Sequence, residues 1–189
     1  MPSRDTILAL VSRLAQKTQS LNSTGGAPAY PWEDIAWAFA GVPAGPMALV
    51  RAAYSGEDGA QGRAADALAA EMGALPEVKG WGASVQEMRG LCLRVVQDIV
   101  EPLLCRRCEG RGHIYPRGAP VRVCDKCEGR RIRTLAPREL AAYICVPADR
   151  CRRDGMWMQR YRVIGMAADA WLYEALAIAQ KNLRRDGAA

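Results

Sequence analysis

Two Cys-x-x-Cys pairs, Cys105-Arg106-Arg107-Cys108 and Cys124-Asp125-Lys126-Cys127, stand fifteen residues apart near the middle of a 189-residue chain. Four thiols in this spacing form the pattern of a structural zinc site, because each pair turns tightly and presents two sulfurs to one tetrahedral Zn²⁺. Each pair continues with the same code, Cys108-Glu109-Gly110-Arg111-Gly112 and Cys127-Glu128-Gly129-Arg130-Arg131. A glycine two residues after the second cysteine lets the chain take positive φ and fold under the metal. Between the pairs, His113-Ile114-Tyr115, a turn from Pro116 to Pro120, and Val121-Arg122-Val123 read as strand, turn, strand. Arg131–Thr134 is expected as a third short strand. The whole predicts a small zinc ribbon over 103–134, with Cys105, Cys108, Cys124 and Cys127 as ligands. These four fill the shell and leave no place for His113, the only histidine.

Two rival readings of the cysteines are weaker. A redox Cys-x-x-Cys sits at a helix start after a strand in a βαβ setting, which is not visible here. A disulfide pair needs an oxidising compartment, and no secretory signal is evident. Of the other cysteines, Cys92 and Cys145 fall on apolar helical stripes and are expected in the core. Cys151 lies between Arg150 and Arg152, a setting that lowers a thiol pKa, although a bystander role is the better expectation.

Half of the chain is apolar, enough for a sizeable core. No apolar run reaches the length of a membrane span. Net charge is +6, and it is unevenly spread. Fifteen Lys and Arg against six Asp and Glu fall between Cys105 and Arg162, whereas the remainder has eleven against fourteen. One Zn²⁺ on four thiolates subtracts about two charges and still leaves a strongly basic middle segment. Such a zone attracts a polyanion, most often nucleic acid.

The rest reads as helix. An amphipathic helix is expected over 4–21, a Gly/Ser/Pro-rich linker over 22–31, a short helix over 32–40, and further helices over 46–55 and 61–73. Ser84-Val85-Gln86-Glu87 is a capping box opening a helix that Pro102 ends. After the ribbon, Pro137 fits the first turn of a helix over 137–145. A turn is expected over Asp149–Gly155, then a long helix over 156–183. The fold class is therefore mainly α, with residues 1–30 as an N-terminal helix and linker. A helical body over 31–189 carries the inserted β ribbon.

The segment 137–165 has the outline of a helix-turn-helix, with a turn longer than that of the tight motif. Arg150, Arg152, Arg153, Gln159, Arg160 and Arg162 crowd its turn and second helix and are the candidate DNA contacts. In such a motif the start of the second helix meets base edges while neighbouring cations hold phosphates. Arg suits guanine and Gln suits adenine in the major groove.

These residues resemble the late-gene antitermination protein Q family of lambdoid phages. The likeness is strongest in Cys105-x-x-Cys108-x-Gly110-x-Gly112 through Cys124-x-x-Cys127-x-Gly129. It extends to the helix before the ribbon, to Ala136–Tyr143 after it, and to Leu172-Tyr173-Glu174-Ala175-Leu176, spanning about 32–184. The chain departs from the family pattern at Arg131, where a fourth knuckle glycine is expected, over 146–156, and over 1–30. The resemblance implies a regulator rather than an enzyme, acting in the host bacterial cytoplasm. It implies binding to double-stranded DNA at a late-promoter element, and loading onto paused host RNA polymerase through the sigma subunit and the β flap. Pausing and termination are then suppressed, with nascent RNA nearby. Only the four cysteines carry over residue by residue; the DNA role carries over as a region.

Two other functions fit less well. The Cys-x-x-Cys-x-Gly-x-Gly code also resembles the zinc domain of the J-protein co-chaperones, which carry four repeats and a His-Pro-Asp triplet; here there are two repeats, and Ile114 follows the lone histidine. A nuclease needs clustered carboxylates or an open metal position, and neither is visible.

Overall fold

The computed structural model describes residues 37–54, 58–116, 120–133 and 135–186. The helix expected over 4–21, the linker over 22–31 and residues 32–36 of the helix expected over 32–40 lie outside the described residues. Among the described residues, the elements in order are α1 (Ala44–Tyr54), α2 (Ala60–Ala74), α3 (Pro76–Lys79), α4 (Val85–Val100), β1 (His113–Ile114), β2 (Arg122–Val123), α5 (Pro137–Tyr143), α6 (Ala148–Asp154) and α7 (Met156–Asp186). The molecule is mainly helical, as its periodicity predicts. No helix among the described residues is long and apolar enough to cross a membrane.

Local chemistry places the helix starts. The Ser84 hydroxyl accepts from the Glu87 amide at 3.2 Å, and the Glu87 carboxylate accepts from the Ser84 amide at 2.7 Å, so the capping box closes in both directions. At α5, Pro137 occupies the first turn and the Glu139 carboxylate accepts from the Ala136 amide at 3.0 Å. That N–H bond, then Arg133, holds the Glu139 carboxyl below its ordinary pKa.

The main core is built from the apolar stripes of α1, α2 and α4–α7. Leu49, Leu68, Leu91, Val96, Leu140, Ile144, Trp157 and Ile164 are sealed within it. α7, 31 residues and about 46 Å long, spans both this core and a smaller cluster in which Ala175 and Ala179 meet Ala38, Phe39 and Val50. Polar ties cross the same surfaces. Trp171 donates its indole N–H to Glu71 at 3.0 Å, and Asn182 donates to the carbonyls of Ala38 and Ala40, each at 3.0 Å.

One buried polar cluster joins the helix entering the ribbon to those leaving it. Arg94 on α4 is buried, pairs with Asp98 one turn on, donates to the Tyr143 hydroxyl at 3.0 Å and lies over that ring at 4.9 Å. Tyr161 on α7 donates to the same Asp98. Burial, then the hydrogen bond to Asp98 and its charge, raises the Tyr161 pKa and keeps its hydroxyl protonated as a donor.

Three expectations need correction. The segment 149–155 is not a turn: residues 148–154 form α6, and Gly155, at φ 57, breaks the chain before α7. A left-handed glycine ends one helix and allows the next to start at once. Cys145 is exposed, not in the core, because α5 ends at Tyr143 and the reversal at Cys145 (φ 54) turns its side chain off the apolar stripe. The third ribbon strand reduces to one bridge, Leu104 opposite Ile132.

Candidate metal centre and basic face

The four knuckle cysteines converge. Their sulfurs all lie within 4.8 Å of one another and all four residues are buried. Cys105 and Cys124 sulfurs are 3.9 Å apart, and those of Cys108 and Cys127 are 3.7 Å apart. A disulfide needs about 2.05 Å, so these are not bonded pairs, and no disulfide links any of the seven cysteines. A tetrahedron of sulfurs around one ion at about 2.3 Å has edges of roughly 3.8 Å, which fits the separations seen. The donor set, four soft thiolates with no open position, suits a single structural cation.

The shell is built by one motif used twice, with partners nineteen residues apart. The Cys105 amide donates to the Arg131 carbonyl at 2.9 Å, and the Cys124 amide donates to the Gly112 carbonyl at 2.9 Å. Arg111 donates to the Cys108 carbonyl and pairs with Glu109, while Arg130 donates to the Cys127 carbonyl and pairs with Glu128. Glu109 and Glu128 both have φ 52, and Gly110 and Gly129 both have φ 78. Each knuckle is thus a left-handed turn wrapped under its sulfurs. Gly112 and Arg131 close the equivalent strands at φ 78 and φ 69, so the arginine adopts a conformation that favours glycine.

Neighbouring groups treat the sulfurs unequally. The backbone N–H of Cys108, with that of Arg107, holds the Cys105 thiol down to about 7, while burial pushes Cys127 up to about 11. The Gly112 amide also points at the Cys108 sulfur at 3.3 Å. Four thiolates in this space repel one another, and a divalent cation removes the repulsion. His113 is exposed on β1, away from the buried sulfurs.

Main-chain bonds close the ribbon onto itself: the Arg133 amide donates to the Leu103 carbonyl at 2.7 Å. The ribbon therefore leaves the helical body after α4 and returns to it just before α5.

The sequence-derived DNA candidates divide between surface and interior. Arg150, Arg152 and Arg153 are exposed on α6, and Gln159 and Arg162 are exposed on the first turns of α7. Arg152 pairs with Asp149 at 2.8 Å, Arg153 donates to the Asp149 carbonyl at 3.3 Å, and Arg150 lies 4.0 Å from Glu87. The Arg152–Asp149 pair is exposed on both sides and of the kind that contributes little and yields readily to a phosphate, whereas Arg150 also lies 5.9 Å from the Trp157 ring. Arg160 is different: it is only 8% exposed, donates to the Trp81 carbonyl, and lies 4.6 Å from the Trp157 ring and 5.5 Å from the Trp81 ring. It is a packing residue joining the α3–α4 loop to α7, and its expected place on the outer face is corrected. The helical period turns it inward, one step from the exposed Gln159.

Sequence reasoning missed the packing role of Trp81 and the burial of Arg94. The Arg94/Asp98 spacing of four was a visible signal for a helical ion pair, but nothing in it showed burial. Cys92 is sealed in the core, as its position predicts, and burial pushes its thiol up to about 12. Cys151 is also fully buried, because α6 turns it inward while Arg150 and Arg152 face out.

Compared with known proteins, the chain matches no family model, no curated protein and no solved structure.

Proposed function

We propose that this protein is a phage transcription antitermination factor that binds a duplex DNA element at a late promoter, loads onto paused RNA polymerase and suppresses pausing and termination. The observation that carries the reading is a closed four-cysteine knuckle pair whose exit leads directly into a short helix pair with outward arginines. In this reading the metal is Zn²⁺, which supplies folding energy and no catalysis, since four protein ligands leave no position for water. The protein acts as a regulator and not as an enzyme.

In this reading the helix-turn-helix is revised to the two short helices after the ribbon. α5 and α6, seven residues each, are joined across residues 144–147, which matches the short turn of that motif better than the pair expected from sequence. α6 then takes the role of the recognition helix, with Arg150, Arg152 and Arg153 as the contacts. Gln159 and Arg162 on α7 flank it and suit phosphate contact. The test is transcription from a promoter–terminator template by polymerase with purified, metal-loaded protein. Readthrough is expected only with the DNA element upstream and only without chelator. Element-independent readthrough would refute the loading step.

A further inference from the structure

We propose that the outer face of the β1–β2 hairpin is a platform for single-stranded RNA, centred on Tyr115 and Arg111. The identification of the strand as a transcript rests on the function proposed above; the surface itself stands on the ribbon's geometry.

The hairpin pairs His113 with Val123 and Ile114 with Arg122. Side chains alternate across a strand, so each cross-strand pair shares a face. Ile114 packs on the cysteine cluster and defines the inner face. His113 and Val123 therefore face outward, and Tyr115 and Val121 continue that face one step beyond the paired residues. All four are exposed, Tyr115 at 60%, Val121 at 55% and Val123 at 56%. No second layer covers this face among the described residues. Arg111 from the first knuckle places its guanidinium 5.8 Å from the Tyr115 ring centroid. One side of the ring thus has a cation partner, and a flat base can meet the other.

The surrounding charge identifies the occupant. Residues 103–134 hold nine Lys and Arg against three Asp and Glu, and a divalent cation on four thiolates leaves the ribbon at about +4. Arg106, Arg122 and Lys126 are exposed and make no ion pair among the described residues. An exposed ring backed by Arg111, on a ribbon of net positive charge, matches the way single strands are held, by base stacking with phosphates in a positive field. A duplex cannot use the ring, because its base faces are stacked on one another. A protein partner would match the two valines, but only one with an acidic surface would match the surplus of cations.

The test uses the full-length, metal-loaded protein and fluorescence anisotropy with an unstructured RNA of about twelve nucleotides. Tyr115→Ala is expected to weaken RNA binding about tenfold, the order of one lost base–aromatic stack. Tyr115→Phe is expected to stay within about twofold, since the ring remains. Binding of duplex DNA by Tyr115→Ala, and its metal content and circular dichroism, are expected to match the parent. Unchanged RNA affinity in Tyr115→Ala overturns the proposal, and a weakened polymerase contact in that case assigns the face to a protein instead. An equal loss of RNA and duplex binding also overturns it. Tyr115-dependent RNA binding by a protein that shows no readthrough supports the platform and refutes the antitermination reading alone.

Discussion

Gly90 on α4 lies against the main chain of Tyr143 at the end of α5. A Cβ built on it would overlap the Tyr143 carbonyl oxygen, with the carbonyl carbon at 3.0 Å and the Ile144 Cα at 3.1 Å. The two helices flanking the ribbon therefore touch backbone to backbone. Arg94, one turn further along α4, pins the same Tyr143 through its hydroxyl. Together these contacts orient the ribbon's exit, and with it the arginines of α6.

Gly90→Ala is accordingly expected to be destabilising by about 1–3 kcal/mol, the cost of overpacking where backbone must move. Gly165→Ala in α7 is expected to do the opposite. Its Cβ meets nothing within 4 Å, so it gains about 0.5–1 kcal/mol of helix propensity. Thermal melts of both variants check the pair, and a stable Gly90→Ala protein would show that the helices are not in close contact.

Arg131→Gly should stabilise the ribbon by about 1 kcal/mol, since a left-handed backbone penalises any residue with a Cβ. Gly112→Ala, at the equivalent position of the first knuckle, should loosen it. There an added Cβ would sit 2.9 Å from the Gly129 carbonyl oxygen, at φ 78. Competition with a zinc chelator measures both, the first variant retaining metal more tightly than the parent and the second less.

One metal ion per chain is expected, lost in Cys105→Ser or Cys127→Ser. Binding needs thiolates, so protons compete with the metal: occupancy is complete at high pH and falls as pH falls. A chromogenic zinc-release titration checks the direction. Release on raising pH rather than lowering it would exclude a thiolate shell.

Arg160→Ala and Arg153→Ala should separate stability from binding. Losing Arg160 removes a cation held between Trp81 and Trp157 and leaves the Trp81 carbonyl without that donor, lowering stability by about 2 kcal/mol. Arg153→Ala should leave the melting temperature nearly unchanged, while weakening DNA binding and reducing its salt slope by about 1. Melting curves and salt-dependent anisotropy on a late-promoter duplex read the two effects.

Stability should fall as pH rises from about 9 towards about 12. The Cys92 thiol has a raised pKa in the fold, so it stays protonated there after the unfolded chain has ionised, and its contribution, complete below the unfolded value, is lost on the way up. Tyr161, also raised, acts in the same direction. Chemical denaturation across this range should show a shallower decline in Cys92→Ala, and equal slopes would remove Cys92 as a source.

Local chemistry was legible in the residues themselves. The Ser84/Glu87 box, Pro137 at a helix start and the duplicated knuckle act over a few residues, so their spacing alone carried the signal. The helix α6 was not legible, because Ala148–Asp154 is short and polar on most sides and is held by Cys151 reaching a core made elsewhere in the chain. The exposure of Cys145 and the burial of Arg94 were hidden for the same reason.

By itself the sequence determined the four-sulfur shell, the mainly helical class and the basic middle of the chain, since each follows from residue type and spacing. Only tertiary packing decided which arginines face out and which are drawn inside. Arg153 and Arg160 are alike as residues and close in the chain. Long-range neighbours such as Trp81, brought across the fold by helix packing, set whether each guanidinium meets solvent or an aromatic ring.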